Sequence, residues 1–114
     1  MGLLAPRGAV VNKVVRDGKV AVLVSHGYGA GWFSWNREHL QCLFDPDIVG
    51  MVEARADTYA IEEKAKETYG DGFYPGGARG LEIHWVPEGA EFQVEEYDGA
   101  EGLSMRDEQS WVRA

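Results

Sequence analysis

Glycine and aromatic residues alternate in one short run, from Gly27 to Trp35. Glycine lets backbone N–H groups approach a ligand closely, and flat aromatic rings stack on planar groups. We therefore expect this first glycine loop to bind a small molecule, with Tyr28 or Trp32 stacking and Asn36 contacting a polar edge. Its predicted ligand-binding residues are Gly27, Tyr28, Gly29, Gly31, Trp32, Asn36 and Arg37.

A second glycine loop runs from Gly70 to Gly80, with five glycines, one proline and the aromatic residues Phe73 and Tyr74. Because both loops share this unusual composition, we expect them to lie together as the walls of a concave site. Tyr74 would add a stacking ring and Arg79 a phosphate contact, a role that Arg37 and Arg55 also suit. The alternative stays open that the aromatics are core residues and the glycines only form bends.

Known catalytic and phosphate-binding motifs do not account for the first loop. His26-Gly27 after an apolar strand is superficially similar to the oxyanion loop of α/β-hydrolases. The nucleophile elbow is missing, since Gly102-Leu103-Ser104-Met105-Arg106 lacks the closing glycine. The glycine spacing also fits neither a P-loop nor a dinucleotide fold.

The histidines and the single cysteine give no recognised metal or catalytic motif. His26, His39 and His84 have Glu38 and Asp45 as possible co-ligands, but none shows the paired spacing of a metal site. Cys42 reads as a small buried apolar residue. The sequence therefore assigns no catalytic residue, no metal and no cofactor.

These loops need a framework, and the flanking sequence predicts strands. Val10 to Val15 and Lys19 to Ser25 flank Asp17-Gly18, a dipeptide typical of a tight hairpin turn. The second of these segments is apolar on both faces, so we expect a central strand. Leu81 to Val86 and Phe92 to Tyr97 alternate around a turn at 87–90, which predicts a second hairpin.

The middle of the chain is helical in pattern. Asp45-Pro46 is typical of a helix N-cap and first position, and a second helical pattern runs from about Thr58 to Tyr69, ended by Gly70. One kinked helix and two helices both fit. After a turn at Asp98-Gly99, the segment from Leu103 to Trp111 is either a short strand or a terminal helical turn. The prediction is an α+β fold: an antiparallel or mixed sheet from two hairpins, packed against one or two central helices.

Size, charge and hydropathy narrow the classes of function. The 114 residues suit a single domain, and no apolar stretch is long enough to span a bilayer. With a formal charge of −8 and no clustering of basic residues, polymeric nucleic acid is not an expected partner. The N-terminal residues lack the pattern of a secretory signal, so we expect a cytoplasmic protein. Its 13 aromatic residues in one small domain also predict a homo-oligomer.

Five short segments carry a resemblance. They are Lys19–Ser25 (KVAVLVS), Gly27–Trp32 (GYGAGW), Trp35-Asn36, Leu43–Pro46 (LFDP) and Trp85–Gly89 (WVPEG). Together they resemble short proteins of unassigned function encoded by phages and prophages, over most of the chain from Lys13 to about Leu103. The resemblance implies a location in the host cytoplasm and, by association, a non-enzymatic protein that sequesters a cyclic nucleotide or ADP-ribose type of immune signal.

Three functions compete at this point. The leading one is a non-enzymatic binding protein for a small anionic or nucleotide-like ligand. The second is an acidic protein-interaction module that inhibits a host protein. The third is a small enzyme that uses His26 or His84 with nearby carboxylates.

Overall fold

The computed structural model describes residues 11–105, together with the backbone of residues 112–113. Within this part of the chain the fold is α+β, as predicted, with six strands in two antiparallel sheets and two α-helices. Three short 3₁₀ helices complete it, at Phe33–Trp35, Leu40–Leu43 and Gly76–Gly80. The strands are β1 (Val15–Arg16), β2 (Lys19–Ser25), β3 (Leu81–Pro87), β4 (Glu91–Tyr97), β5 (Ala100–Met105) and β6 (Val112–Arg113); the helices are α1 (Pro46–Glu53) and α2 (Thr58–Tyr69).

The predicted first hairpin is confirmed. β1 and β2 pair antiparallel, and the turn residues Asp17 and Gly18 have φ angles of 51° and 75°. These two positive values are those of a type I′ turn, for which Asp-Gly is a favoured sequence. The strand predicted from Val10 is shorter in the structure, where β1 begins at Val15, and Val10 itself lies outside the described residues.

The predicted pairing of β3 with β4 is wrong. Both segments form strands, but β3 pairs with β2 over seven residues, from Ser25 opposite Leu81 to Lys19 opposite Pro87. β2 is buried on both faces, so its backbone groups need hydrogen-bond partners along its whole length, and β1 pairs with only two of its residues. β3 meets that need, so β2 is central in the order β1-β2-β3.

The second sheet has the order β5-β4-β6. β4 and β5 form the actual second hairpin, around the predicted turn at Asp98 and Gly99, whose φ angles of 53° and 89° again suit a type I′ turn. The open choice at Leu103 is resolved as a strand up to Met105; residues 106–111 of that predicted segment lie outside the described residues.

The two helices are separate, and both start where a carboxylate caps them. Asp45 accepts hydrogen bonds from the N–H groups of Asp47 and Ile48, and Asp57 accepts one from Tyr59. α2 ends at Gly70, whose φ of 94° favours glycine. The local signals at Pro46 and Gly70 therefore gave correct helix ends.

A single core joins the sheets and helices. Its largest fully buried side chains include Trp32, Phe44 and Phe92, together with the apolar residues of β2. Arg16 makes a two-point ion pair with Glu53 of α1 and lies over the ring of Trp85 on β3. These contacts place α1 on the sheet face that carries Trp85. No helix in the described part of the chain is long and apolar enough to cross a membrane.

Candidate functional site

The two glycine loops lie against each other, as predicted. β2 leads directly into the first loop, where the N–H of His26 donates to the carbonyl of Gly80 at 2.9 Å. A Cβ atom on Gly80 would lie 2.5 Å from the Gly27 nitrogen, and one on Gly77 would lie 2.5 Å from the Gly31 carbonyl oxygen. Such distances exclude any side chain, so glycine is required here for close backbone packing.

Between the loops is an open cleft of about 480 Å³. This volume is within the range of small-molecule sites, roughly 300–1,000 Å³. The walls come from both glycine loops, from the end of β2 and from α2. The lining residues are Ser25, Gly27, Tyr28, Gly29, Ala30, Glu62, Tyr74, Gly76, Arg79 and Gly80.

Two tyrosines and one arginine offer side chains to this cleft. Tyr28 is 74% exposed and Tyr74 is 47% exposed, the latter with its ring 5.0 Å from that of Trp35. Arg79 is exposed and makes no ion pair or side-chain hydrogen bond with any residue in 11–105. Five predicted residues therefore meet at one cleft: Gly27, Tyr28, Gly29, Tyr74 and Arg79.

The other four predicted residues are placed differently. Trp32 is fully buried and its indole N–H donates to the Cys42 carbonyl, so it cannot stack on a ligand in this structure. Gly31 is also buried. Arg37 lies over the ring of Phe33 and points its guanidinium at the Val94 carbonyl, away from the cleft. A tryptophan beside glycines is here a core residue, because burial of its large apolar surface outweighs exposure to a ligand.

Asn36 is buried and acts on the framework of the cleft. Its amide donates to the carbonyls of Trp32 and Tyr74, and its carbonyl oxygen accepts the Tyr74 N–H at 2.7 Å. The predicted contact with a ligand edge is therefore wrong in this structure, since these hydrogen bonds occupy the amide. Asn36 instead links the two loops and fixes the backbone that carries the Tyr74 ring.

A buried carboxylate holds the first loop from below. Glu101 on β5 is 3% exposed, and it accepts hydrogen bonds from the backbone N–H groups of Ser25, Trp32 and Ser34 and from the Ser34 hydroxyl. Four donors compensate the cost of burying one negative charge. Both ends of the loop are thus fixed to the second sheet through one side chain.

His26, Glu82 and His84 form a cluster that the sequence does not show. The imidazole Nε2 atoms of His26 and His84 lie 2.8 Å apart, and the His26 Nε2 lies 3.7 Å from a Glu82 carboxylate oxygen. Burial lowers the pKa of His84, and the neighbouring His26 lowers it further while Glu82 acts in the opposite direction. The cluster depends on the β2–β3 register, which no local sequence signal predicts.

Two other polar groups are confined to structural contacts. Burial raises the pKa of the Cys42 thiol, and the carboxylates of Glu101, Asp45 and Glu38 raise it further. The Tyr69 hydroxyl donates to Asp45 at 2.6 Å, and partial burial together with that hydrogen bond raises its pKa. Both groups stay protonated at neutral pH, which agrees with the interpretation of Cys42 as an apolar residue.

Comparison of the chain with protein-family models, with curated proteins and with solved structures found no match.

Proposed function

We propose that the cleft between the two glycine loops binds a small anionic ligand with a planar ring, of the nucleotide class, without transforming it. The observation that carries the proposal is the convergence of the exposed Tyr28 and Tyr74 rings with Arg79 on one cleft. A guanidinium without an ion pair among residues 11–105 is suited to a phosphate, and exposed rings are suited to a base.

The backbone supports the same ligand class. Gly27, Gly29 and Gly76 line the cleft without side chains, so a ligand can approach the main chain closely. Asn36 and Glu101 hold this main chain in place through hydrogen bonds. A site held rigid before binding loses less conformational freedom when the ligand arrives.

Glu62 of α2 adds a carboxylate to the lining. A carboxylate repels phosphate but accepts hydrogen bonds from ribose hydroxyls or from an exocyclic amine. The combination with Arg79 favours a ligand with a mixed surface over a bare inorganic anion.

The biological role proposed for this binding is sequestration of a nucleotide-derived immune signal, of the cyclic nucleotide or ADP-ribose type, in the cytoplasm of a phage-infected host. It rests on the ligand class given above and on the resemblance of the sequence to phage and prophage proteins. Sequestration requires only a site that binds the ligand, and the cleft offers rings, a guanidinium and open main chain for this.

Calorimetric titration against a panel tests the proposal. The panel contains cyclic dinucleotides, ADP-ribose, adenosine and inorganic phosphate. We expect at least one ring-and-phosphate ligand to bind, and Tyr28→Ala to weaken it by about 1–3 kcal/mol through lost stacking. Arg79→Ala should weaken phosphorylated ligands and leave adenosine unchanged.

Two matched controls lie outside the lining of the cleft. Tyr59→Ala removes another exposed tyrosine, on α2, and Arg55→Ala removes another exposed arginine. Both should bind the ligand as the unmodified protein does. Absence of heat with every member of the panel, or equal losses in the cleft variants and the controls, would contradict the proposal.

Homo-oligomer formation stays a prediction alongside it. Large aromatic side chains are exposed at several places, with Tyr97 on β4 at 78%. A symmetric dimer would bury such surface against a second copy, and closed dimers are the commonest soluble homo-oligomers. Sedimentation at micromolar concentration tests this directly, and a monomer would overturn it.

A further inference from the structure

We propose that His26, Glu82 and His84 form a binding site for one divalent transition-metal ion of the zinc class, with at least one coordination position open to water. The three ligand atoms, one from each residue, all lie within 4.8 Å of one another. None of the three residues lines the cleft between the glycine loops, so this site is separate from the proposed ligand site.

The β2–β3 ladder places the three side chains on one face. Val22 is opposite His84 and Val24 is opposite Glu82, while the N–H of His26 pairs with the carbonyl of Gly80. Side chains of directly opposed residues point to the same side of a sheet, and residues two apart in a strand share a face. β3 therefore fixes Glu82 and His84, and the backbone hydrogen bond to Gly80 fixes His26 directly after β2, as a rigid metal site needs.

The chemistry of the donors matches the zinc class. Imidazole nitrogen suits zinc, copper, iron and nickel, whereas calcium and magnesium prefer oxygen ligands alone. Two histidines and one carboxylate are also a recurrent three-ligand set in zinc sites, in which a water molecule occupies the fourth position. The exposure of His26 and Glu82 leaves room for that water.

The ligand atoms must shift to reach the separations that a bound ion imposes. A tetrahedral ion with bonds of about 2.0–2.1 Å separates its ligand atoms by about 3.4 Å. The two Nε2 atoms, now 2.8 Å apart, must open by roughly half an ångström, while the Glu82 oxygen lies 3.7 Å from the His26 Nε2. The three ligand atoms span up to 4.8 Å, so the exposed Glu82 carboxylate must also move toward His84 by about 1.4 Å, through side-chain rotation. The imidazole that carries its proton on Nε2 must also adopt the other neutral tautomer.

Without a metal, the same contacts are a histidine–histidine hydrogen bond with a nearby carboxylate. That hydrogen bond also satisfies the two facing nitrogens. A measurement of Zn²⁺ binding is therefore needed to distinguish a metal site from a metal-free hydrogen bond. The metal site predicts saturable binding of added Zn²⁺, whereas the metal-free hydrogen bond predicts no specific uptake.

The experiment titrates Zn²⁺ into chelator-treated protein that carries no polyhistidine tag, by calorimetry and by competition with a chromogenic chelator. We expect one ion per chain. His26→Ala and His84→Gln should each weaken Zn²⁺ binding by more than about 10-fold, the loss seen even when a supporting partner of a metal ligand is removed. Glu82→Gln should weaken it to a smaller extent, and bound Co²⁺ should show visible absorption that His26→Ala abolishes.

Matched controls come from the same residue types elsewhere in the chain. His39→Gln alters the third histidine, which lies beside Tyr69 and Phe73, and Glu95→Gln alters an exposed carboxylate on β4. Neither should change Zn²⁺ binding. If partly buried His84 is needed for folding, judged by far-ultraviolet circular dichroism, the exposed positions His26 and Glu82 still decide the question. Absence of saturable Zn²⁺ binding up to about 100 μM, or binding that His26→Ala leaves unchanged, would overturn the proposal.

Discussion

Replacement of Glu101 by glutamine tests whether one buried carboxylate holds the first glycine loop. In the unmodified protein one carboxylate oxygen accepts hydrogen bonds from the Trp32 N–H and from the N–H and hydroxyl of Ser34, and the other oxygen accepts one from the Ser25 N–H. Glutamine keeps a single acceptor oxygen. Its NH₂ group must therefore face a donor on one side, because every partner of Glu101 supplies a hydrogen.

The expected loss of stability in Glu101→Gln follows from these four hydrogen bonds. If the glutamine oxygen takes the three-bond side, its amide faces the Ser25 N–H, and leaving a buried donor unpaired costs about 1–3 kcal/mol. The three remaining bonds lose their charged acceptor, which weakens each of them by up to about 1 kcal/mol. Relief from burying a charge offsets part of this loss. We expect Glu101→Gln to reduce the free energy of unfolding by about 2–4 kcal/mol and to lower the Tm by about 10–20 °C.

Urea unfolding followed by circular dichroism measures this change, and a thermal melt gives the Tm. Glu95→Gln is the control, since it makes the same chemical change on an exposed carboxylate of the neighbouring strand β4. Its effect should stay within about 0.5 kcal/mol. A Glu101→Gln variant as stable as Glu95→Gln would refute the argument that Glu101 anchors the loop.

Three further outcomes are expected. Glu62→Gln removes a negative charge from the cleft lining but keeps an acceptor oxygen for a ribose hydroxyl or an amine. It should therefore tighten binding of a phosphorylated ligand by up to about fivefold, as about 1 kcal/mol of repulsion between close charges in water is removed; calorimetry measures the change, and unchanged binding would contradict the presence of Glu62 in the ligand site. Cys42 should resist iodoacetamide at pH 8 in the folded protein and react in urea, because burial raises its pKa; rapid reaction of the folded form would contradict the structure. The hydrogen bond from Arg16 lowers the pKa of Glu53, so the ion pair stabilises the folded protein at neutral pH. This stabilisation is lost as the pH falls through the lowered pKa. The urea unfolding midpoints of Glu53→Gln and of the unmodified protein should therefore converge in acid.

Elements with local signals could be predicted from the sequence, and those that depend on distant pairing could not. The C-terminal end of α2 was correct because Gly70 terminates the helix, and β2 was correct because apolar residues on both faces indicate a central strand. β3 was given the wrong neighbour because a short turn suggests a hairpin, whereas the pairing of β3 with β2 over seven residues appears only in the assembled sheet.

In the candidate site, too, residues with a local sequence signal were predicted and a residue that depends on distant contacts was not. Tyr28, Tyr74 and Arg79 were grouped correctly because the composition of two loops pointed to one surface. Glu101 was missed because an acidic residue two positions after a turn reads as exposed, and acidic residues are rarely fully buried without partners. Its partners are backbone N–H groups 67 to 76 positions away, which leave no trace in side-chain patterns.

The interior and the surface of the first glycine loop therefore need different experiments. Trp32 within the loop and Glu101 on β5 are both buried and fix the path of the loop, so their replacement should impair both folding and any binding to the cleft. Loss of ligand binding in such a variant shows only that the loop has lost its shape. Tyr28 is 74% exposed, and truncation of an exposed ring costs the core little apolar contact. A loss of binding in Tyr28→Ala at unchanged Tm would therefore be direct evidence that the cleft holds a ligand.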